Sequence, residues 1–106
     1  MISWPCIFKL DGDSELMYLG SEDLLKTELD DLIWDTSDRL IDSEGYCYVV
    51  KSEGDSYVIE SEDFQLSLFE VTQLIQEHEF SKAEVCLTKI QFSSIEEAIR
   101  SLSLEM

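Results

Sequence analysis

The sequence predicts an α+β domain: a largely antiparallel sheet of two β-hairpins and a further strand, with about three helices on one face. Three observations lead there. Apolar residues alternate on either side of two polar turns, Asp11-Gly12-Asp13-Ser14 and Glu53-Gly54-Asp55-Ser56, the mark of a hairpin. Three later runs place apolar residues at helical spacing: Leu25, Leu29, Leu32 and Ile33; Val71, Leu74, Ile75 and His78; Ile95, Ala98, Ile99 and Leu102. The 106 residues are 44% hydrophobic with one proline and four glycines, which suits one domain without flexible linkers.

Taken in order, Trp4 to Leu10 and Glu15 to Leu19 read as paired strands. Ser21 reads as an N-cap, with Glu22 and Asp23 at the positive end of the helix dipole. That helix is expected to run to about Trp34 and to end near Thr36 and Ser37. Arg39 to Asp42 reads as a short strand before the Ser43-Glu44-Gly45 turn. Tyr46 to Lys51 is apolar on both alternating faces, as an interior strand is, and Tyr57 to Glu60 returns the chain. Ser67-Leu68-Phe69-Glu70 is a capping box opening the second helix. Glu84 to Ile90 reads as another strand, and Ser93-Ser94-Ile95-Glu96 as a second capping box opening the last helix.

The expected order is therefore ββα-(β)ββα-βα over a single domain, residues 1–106. A ββα repeat, about 4–34 and 46–80, is one reading of this layout. Cys6, Lys9, Gly12-Asp13-Ser14 and Ser21-Glu22-Asp23 recur as Cys47, Lys51, Gly54-Asp55-Ser56 and Ser61-Glu62-Asp63. The other reading is two similar hairpins that need similar turn residues.

Charge bounds the function more tightly than any motif. There are 24 acidic and 7 basic side chains, a net of −17, and residues 11–63 alone hold 17 carboxylates against 3 cations. Such a field repels nucleic acid and anionic membrane and attracts basic partners. No apolar run is long enough to cross a membrane, and the start MISWPCIFKL lacks the features of a signal peptide. The expected location is the cytoplasm.

The chemistry-bearing residues give little else. Cys6, Cys47 and Cys86 sit in apolar runs without CxxC spacing and read as packing. Asp11, Asp13, Glu15 and Glu22 follow the spacing of a calcium loop, but its glycine position holds Leu16. No metal, cofactor or catalytic residue is expected. His78, the one histidine, reads as a helix C-terminal residue favourable to the dipole and able to cap carbonyls.

Asp30, Asp31, Asp35 and Asp38 gather around Trp34, with Asp31 and Asp35 one helical turn apart on an outward face. Like charges at that spacing destabilise a helix unless something basic approaches. A solvated face that keeps the chain soluble is the bland reading. The sharper one is a docking surface, where an aromatic rimmed by carboxylates receives Arg or Lys. Core packing is the ordinary role for such a tryptophan.

Ile2-Ser3-Trp4-Pro5, Asp38-Arg39-Leu40-Ile41-Asp42-Ser43-Glu44-Gly45, and Cys86-Leu87-Thr88-Lys89-Ile90 with Ser94-Ile95-Glu96-Glu97-Ala98 carry a resemblance. They resemble a family of short, uncharacterised gammaproteobacterial proteins, a domain of unknown function spanning essentially the whole chain. The resemblance implies a bacterial, cytoplasmic, single-domain protein and no activity, cofactor or catalytic residue.

The functional expectation is a small acidic, non-enzymatic binding or regulatory protein. It would present Asp30, Asp31, Trp34, Asp35 and Asp38 to a basic protein partner, as a monomer or small homo-oligomer. The alternatives are an inhibitor or immunity-type protein that mimics nucleic acid, and a small enzyme using Cys86 or His78.

Overall fold

The computed structural model describes residues 2–32, 34–81 and 91–105. Strands β1 (Cys6–Lys9) and β2 (Leu16–Leu19) form the first hairpin and lead into helix α1 (Glu22–Asp31). Strand β3 (Arg39–Ile41) precedes the second hairpin, β4 (Tyr46–Glu53) and β5 (Ser56–Gln65). Helices α2 (Leu68–Ser81) and α3 (Ile95–Ser101) follow, and a short 3-10 turn (Leu102–Glu105) extends α3. The sheet is antiparallel throughout, in the order β2-β1-β3-β4-β5. The α+β class, both hairpins and the short third strand are as expected. The expected strand from Glu84 to Ile90 lies outside the described residues, as do Cys86 and Ile33.

The helices do not share one face, which corrects the sequence reading. Leu25 and Leu29 of α1 pack with Cys6, Phe8, Leu40, Tyr48 and Val50 on one side of the sheet. Val71 and Ile75 of α2, with Ala98 and Ile99 of α3, pack with Ile7, Ile41 and Cys47 on the other. The cause lies in the strands themselves. Cys6-Ile7-Phe8 and Cys47-Tyr48-Val49-Val50 are buried residue after residue, so both faces need cover. Each fully buried Leu, Ile, Val or Phe side chain contributes about 1.5–3 kcal/mol, so a bare face would forfeit several such terms.

Caps fix the helix starts. Ser21 accepts the Leu24 N–H, and Ser67 and Glu70 bond reciprocally, Ser67 N–H to Glu70 Oε1 at 2.9 Å and Glu70 N–H to Ser67 Oγ at 3.2 Å. The last helix starts one residue later than its expected box. Ser94 Oγ accepts the Glu97 N–H, and Glu97 reaches back to the N–H and hydroxyl of Ser93. This frame turns Ala98, Ile99 and Leu102 inward together.

Helix α1 stops at Asp31, short of the expected Trp34. Leu32 is already extended (φ −100, ψ 151) while its N–H still closes the last turn onto Glu28. Gly45 is the one glycine in tight quarters. At φ +90, a Cβ there would collide with the Leu66 carbonyl oxygen, where Leu66 N–H bonds the Gly45 carbonyl. Only glycine fits this crossing of β5's end over the turn before β4.

Candidate functional site

The early end of α1 moves Trp34 and Asp35 out of the helix and into a loop. The indole N–H of Trp34 donates to the Leu29 carbonyl at 3.1 Å, satisfying one of the carbonyls a helix end leaves open. Its ring packs, half-buried, against the Leu25–Leu29 side of the core. Asp35 then folds the chain back: its Oδ1 accepts the Ser37 N–H at 2.7 Å and its carbonyl accepts the Asp38 N–H at 3.2 Å.

Asp38 joins this loop to the first hairpin. It is buried, and its two carboxylate oxygens accept the Asp11 N–H at 2.7 Å and the Asp35 N–H at 2.8 Å. Charge-assisted bonds of this kind are roughly twice as strong as neutral ones. The result is a hollow of about 440 Å³ lined by Leu10, Asp11, Gly12, Asp13, Trp34, Asp35, Ser37 and Asp38. Four of these are carboxylates and none is a cation. Arg39, next along the chain, turns its guanidinium instead to the Thr36 and Asp38 carbonyls and to Glu62.

The expected site residues thus separate into three roles. Trp34 and Asp35 line the hollow. Asp38 also lines it, but its carboxylate is spent on backbone N–H groups rather than offered to solvent. Asp30 and Asp31 are exposed on the last turn of α1 and do not line the hollow. With Asp35 in the loop, the expected helical pairing of Asp31 and Asp35 is absent. Asp11 and Asp13 enter in their place. In the sequence they read as a polar hairpin turn and as part of an imperfect calcium loop, and nothing local says that Asp38, 27 residues away, will hold their turn.

Among the described residues, two buried polar centres lie elsewhere, Asp42 and His78. Asp42 is fully buried, and its carboxylate accepts four hydrogen bonds, from the backbone N–H of Ser3, Glu44 and Tyr46 and from the Tyr48 hydroxyl at 3.0 Å. Burial, then the bond to Asp42, pushes the Tyr48 hydroxyl up to about 12. Asp42 followed by Ser43-Glu44-Gly45 is the signature of an Asx turn, and the turn after Asp42 is as expected.

His78 is also buried, and its Nδ1 accepts the Leu16 N–H at 2.9 Å. Its place on the inner side of the last turn of α2 is as expected, and from there it also braces strand β2. The reason is position: α2 runs on to Ser81 and passes β2 just where Leu16 begins that strand.

The described thiols are poor nucleophiles. Burial first, and then the Asp42 charge, raises Cys6 far above the usual thiol range. Burial first, and then Glu62, raises Cys47 to about 11. Both stay protonated near neutrality, in the inert state. Cys86 lies outside the described residues.

Fold and site define a class: an antiparallel α+β domain sheathed on both faces by helices, with a carboxylate-lined hollow where two loops meet. The chain belongs to DUF4144, a family described as a protein structure with unknown function, matched over residues 4–102. Its fold is similar to that of a solved structure, the "NMR structure of the protein from Shewanella Amazonensis". The TM-score is 0.73 at 24% identity, covering 98% of this chain and 90% of that one. No curated protein matches the chain.

Proposed function

We propose that this is a small, cytoplasmic, non-enzymatic binding or regulatory module of bacteria that presents a carboxylate-rich surface to a basic protein. The observation that carries the reading is the hollow beside Trp34, where Asp11, Asp13, Asp35 and Asp38 converge without a lining cation. An Arg or Lys side chain placed there meets concentrated negative charge and an aromatic ring, a combination worth about 0.5–2 kcal/mol for the ring contact alone.

The end of α1 supports the same reading. Its last turn holds Asp30 and Asp31 and no base, so two carboxylates stand at the negative pole of the helix dipole. That arrangement costs stability, each charge by about 0.3–1 kcal/mol. It is the arrangement expected where a cation arrives from outside.

The test is retention of basic proteins from a bacterial lysate on the immobilised chain, at low and at moderate salt. The wild type is compared with an Asp13→Asn/Asp35→Asn variant. Asparagine keeps the side-chain oxygens that accept the Glu15 and Ser37 N–H groups and removes only the charge. A salt-sensitive basic protein held by the wild type and lost by the variant supports the reading. Equal retention by both, or no salt-sensitive partner, sinks it. A duplex DNA competitor that releases the same protein would shift the reading to nucleic-acid mimicry.

A further inference from the structure

The two edges of the sheet are not equally guarded. Strand β2 is four residues long, and the N–H of its first residue, Leu16, is taken by His78. Strand β5 is ten residues long and has no neighbour on its outer side among the described residues.

The register says which groups face outward. Glu53 pairs with Ser56 across the two-residue turn Gly54-Asp55, with Gly54 at φ +62. In such a hairpin the closing pair is hydrogen-bonded and the pairs then alternate. Lys51 with Val58 and Val49 with Glu60 are therefore bonded, and Ser52 with Tyr57, Val50 with Ile59 and Tyr48 with Ser61 are not. The backbone N–H and C=O of Tyr57, Ile59 and Ser61 point away from the sheet. Edges of this kind are templates for another strand unless charged side chains (lysine above all), proline or a bulge blunt them. Residues 56–61 contain neither proline nor lysine, their one charge, Glu60, is paired with Lys51, and the ladder's irregularity lies beyond them, near its Tyr46 end.

We propose that the outer edge of β5, from Tyr57 to Ser61, binds an extended basic segment of a partner protein as an added strand. Charge selects the occupant. Residues 51–63 hold five carboxylates; Glu60 is paired with Lys51 and Glu62 with Arg39. Glu53, Asp55 and Asp63, unpaired among the described residues and placed at the two ends of the edge, draw in a lysine- or arginine-bearing strand. A second copy of this chain, at −17, is repelled. A hollow of about 320 Å³ lies beside the edge, lined by Glu22, Lys26, Ser56, Tyr57 and Ile59. Strand addition uses main-chain bonds for affinity and pockets of this kind for alternate side chains. This surface is distinct from the Trp34 hollow, and the inference stands without it.

The test is amide hydrogen exchange by NMR, with and without an acetylated peptide of four lysine–valine repeats. With peptide at roughly ten times its dissociation constant, the Tyr57, Ile59 and Ser61 amides slow by about tenfold. Ser61→Pro, which removes an outward N–H and leaves the ladder to β4 whole, weakens binding by about tenfold. Should that variant unfold, the wild-type exchange map alone decides. A lysine–proline peptide has the same charge but cannot complete a ladder, and it gives no such protection. Equal protection by it, protection confined to other amides, or no binding overturns the proposal. Protection of these amides that grows with protein concentration alone would assign the edge to a second copy, and overturns it too.

Discussion

The indole N–H of Trp34 points inward to the Leu29 carbonyl at 3.1 Å, so the one polar group of this side chain is used to close helix α1. What Trp34 contributes to the hollow is its ring. A polar and an apolar duty are thereby divided within one residue, and they can be separated by substitution.

Trp34→Phe keeps an aromatic ring and removes the N–H. Stability is expected to fall by about 1 kcal/mol, the worth of a typical hydrogen bond, while binding of a basic probe persists in weakened form. Trp34→Ala removes both and costs about 3 kcal/mol or more. Urea denaturation beside a titration with a Gly-Arg-Gly peptide separates the two effects. Equal binding by the wild type and the alanine variant would remove the ring from the site.

At the end of α1, stability and binding are expected to move in opposite directions. Asp31→Lys places a cation at the negative pole of the helix and should stabilise the fold by about 0.5–1 kcal/mol. The same change should weaken the Gly-Arg-Gly complex roughly twofold at low salt, an effect that fades as salt screens it. Thermal unfolding and the titration read these separately. A variant that gains stability and binds as well as the wild type would confine the site to the hollow itself.

Tyr48 gives the fold an alkaline limit. Its hydroxyl, ordinarily near 10.0, stands at about 12 in the folded chain. A group raised on folding contributes stability that is complete below its unfolded value and lost as pH climbs to its folded one. Stability should therefore decline between about pH 10 and pH 12, with the buried thiols of Cys6 and Cys47 contributing in the same direction. Tyr48→Phe should lower stability near neutrality by about 1.5–3 kcal/mol, because Asp42 loses a donor, and flatten the alkaline decline. Urea midpoints measured across pH test it, and an unchanged slope would contradict it.

His78→Ala strips the acceptor from the Leu16 N–H and opens space behind β2. A loss of about 2–4 kcal/mol is expected from the orphaned donor and the cavity together. Hydrogen exchange at Leu16 should quicken more than at Phe8, deeper in the sheet. Unchanged exchange at Leu16 would mean that His78 does not guard that edge.

Periodicity made the elements legible, because a hairpin or an amphipathic helix is a local pattern. Ser21, Ser67 and Glu70 declared their helix starts for the same reason. The division of helices between the two faces was written in the unbroken apolar runs around Ile7 and Tyr48, since a strand buried on both sides cannot alternate. The hollow was only half legible. Trp34 and Asp35 stand next to each other in the chain, but Asp11 and Asp13 reach them through Asp38, whose bond to the Asp11 N–H spans 27 residues. Asp38 also shows why composition misleads here: a carboxylate that looks like surface charge holds two loops together instead. Capping chemistry stopped α1 at Asp31, where helical spacing alone ran on to Trp34.

The loops joined by Asp38 are proposed to form a site for a basic side chain. Titration of the ¹⁵N-labelled chain with Gly-Arg-Gly, too short to add a strand to β5, tests it most directly. The largest and salt-sensitive shifts are expected on the Asp11, Gly12, Asp13 and Asp35 amides and on the Trp34 indole. Shifts spread evenly over the acidic surface, with the Trp34 indole unmoved, would contradict it.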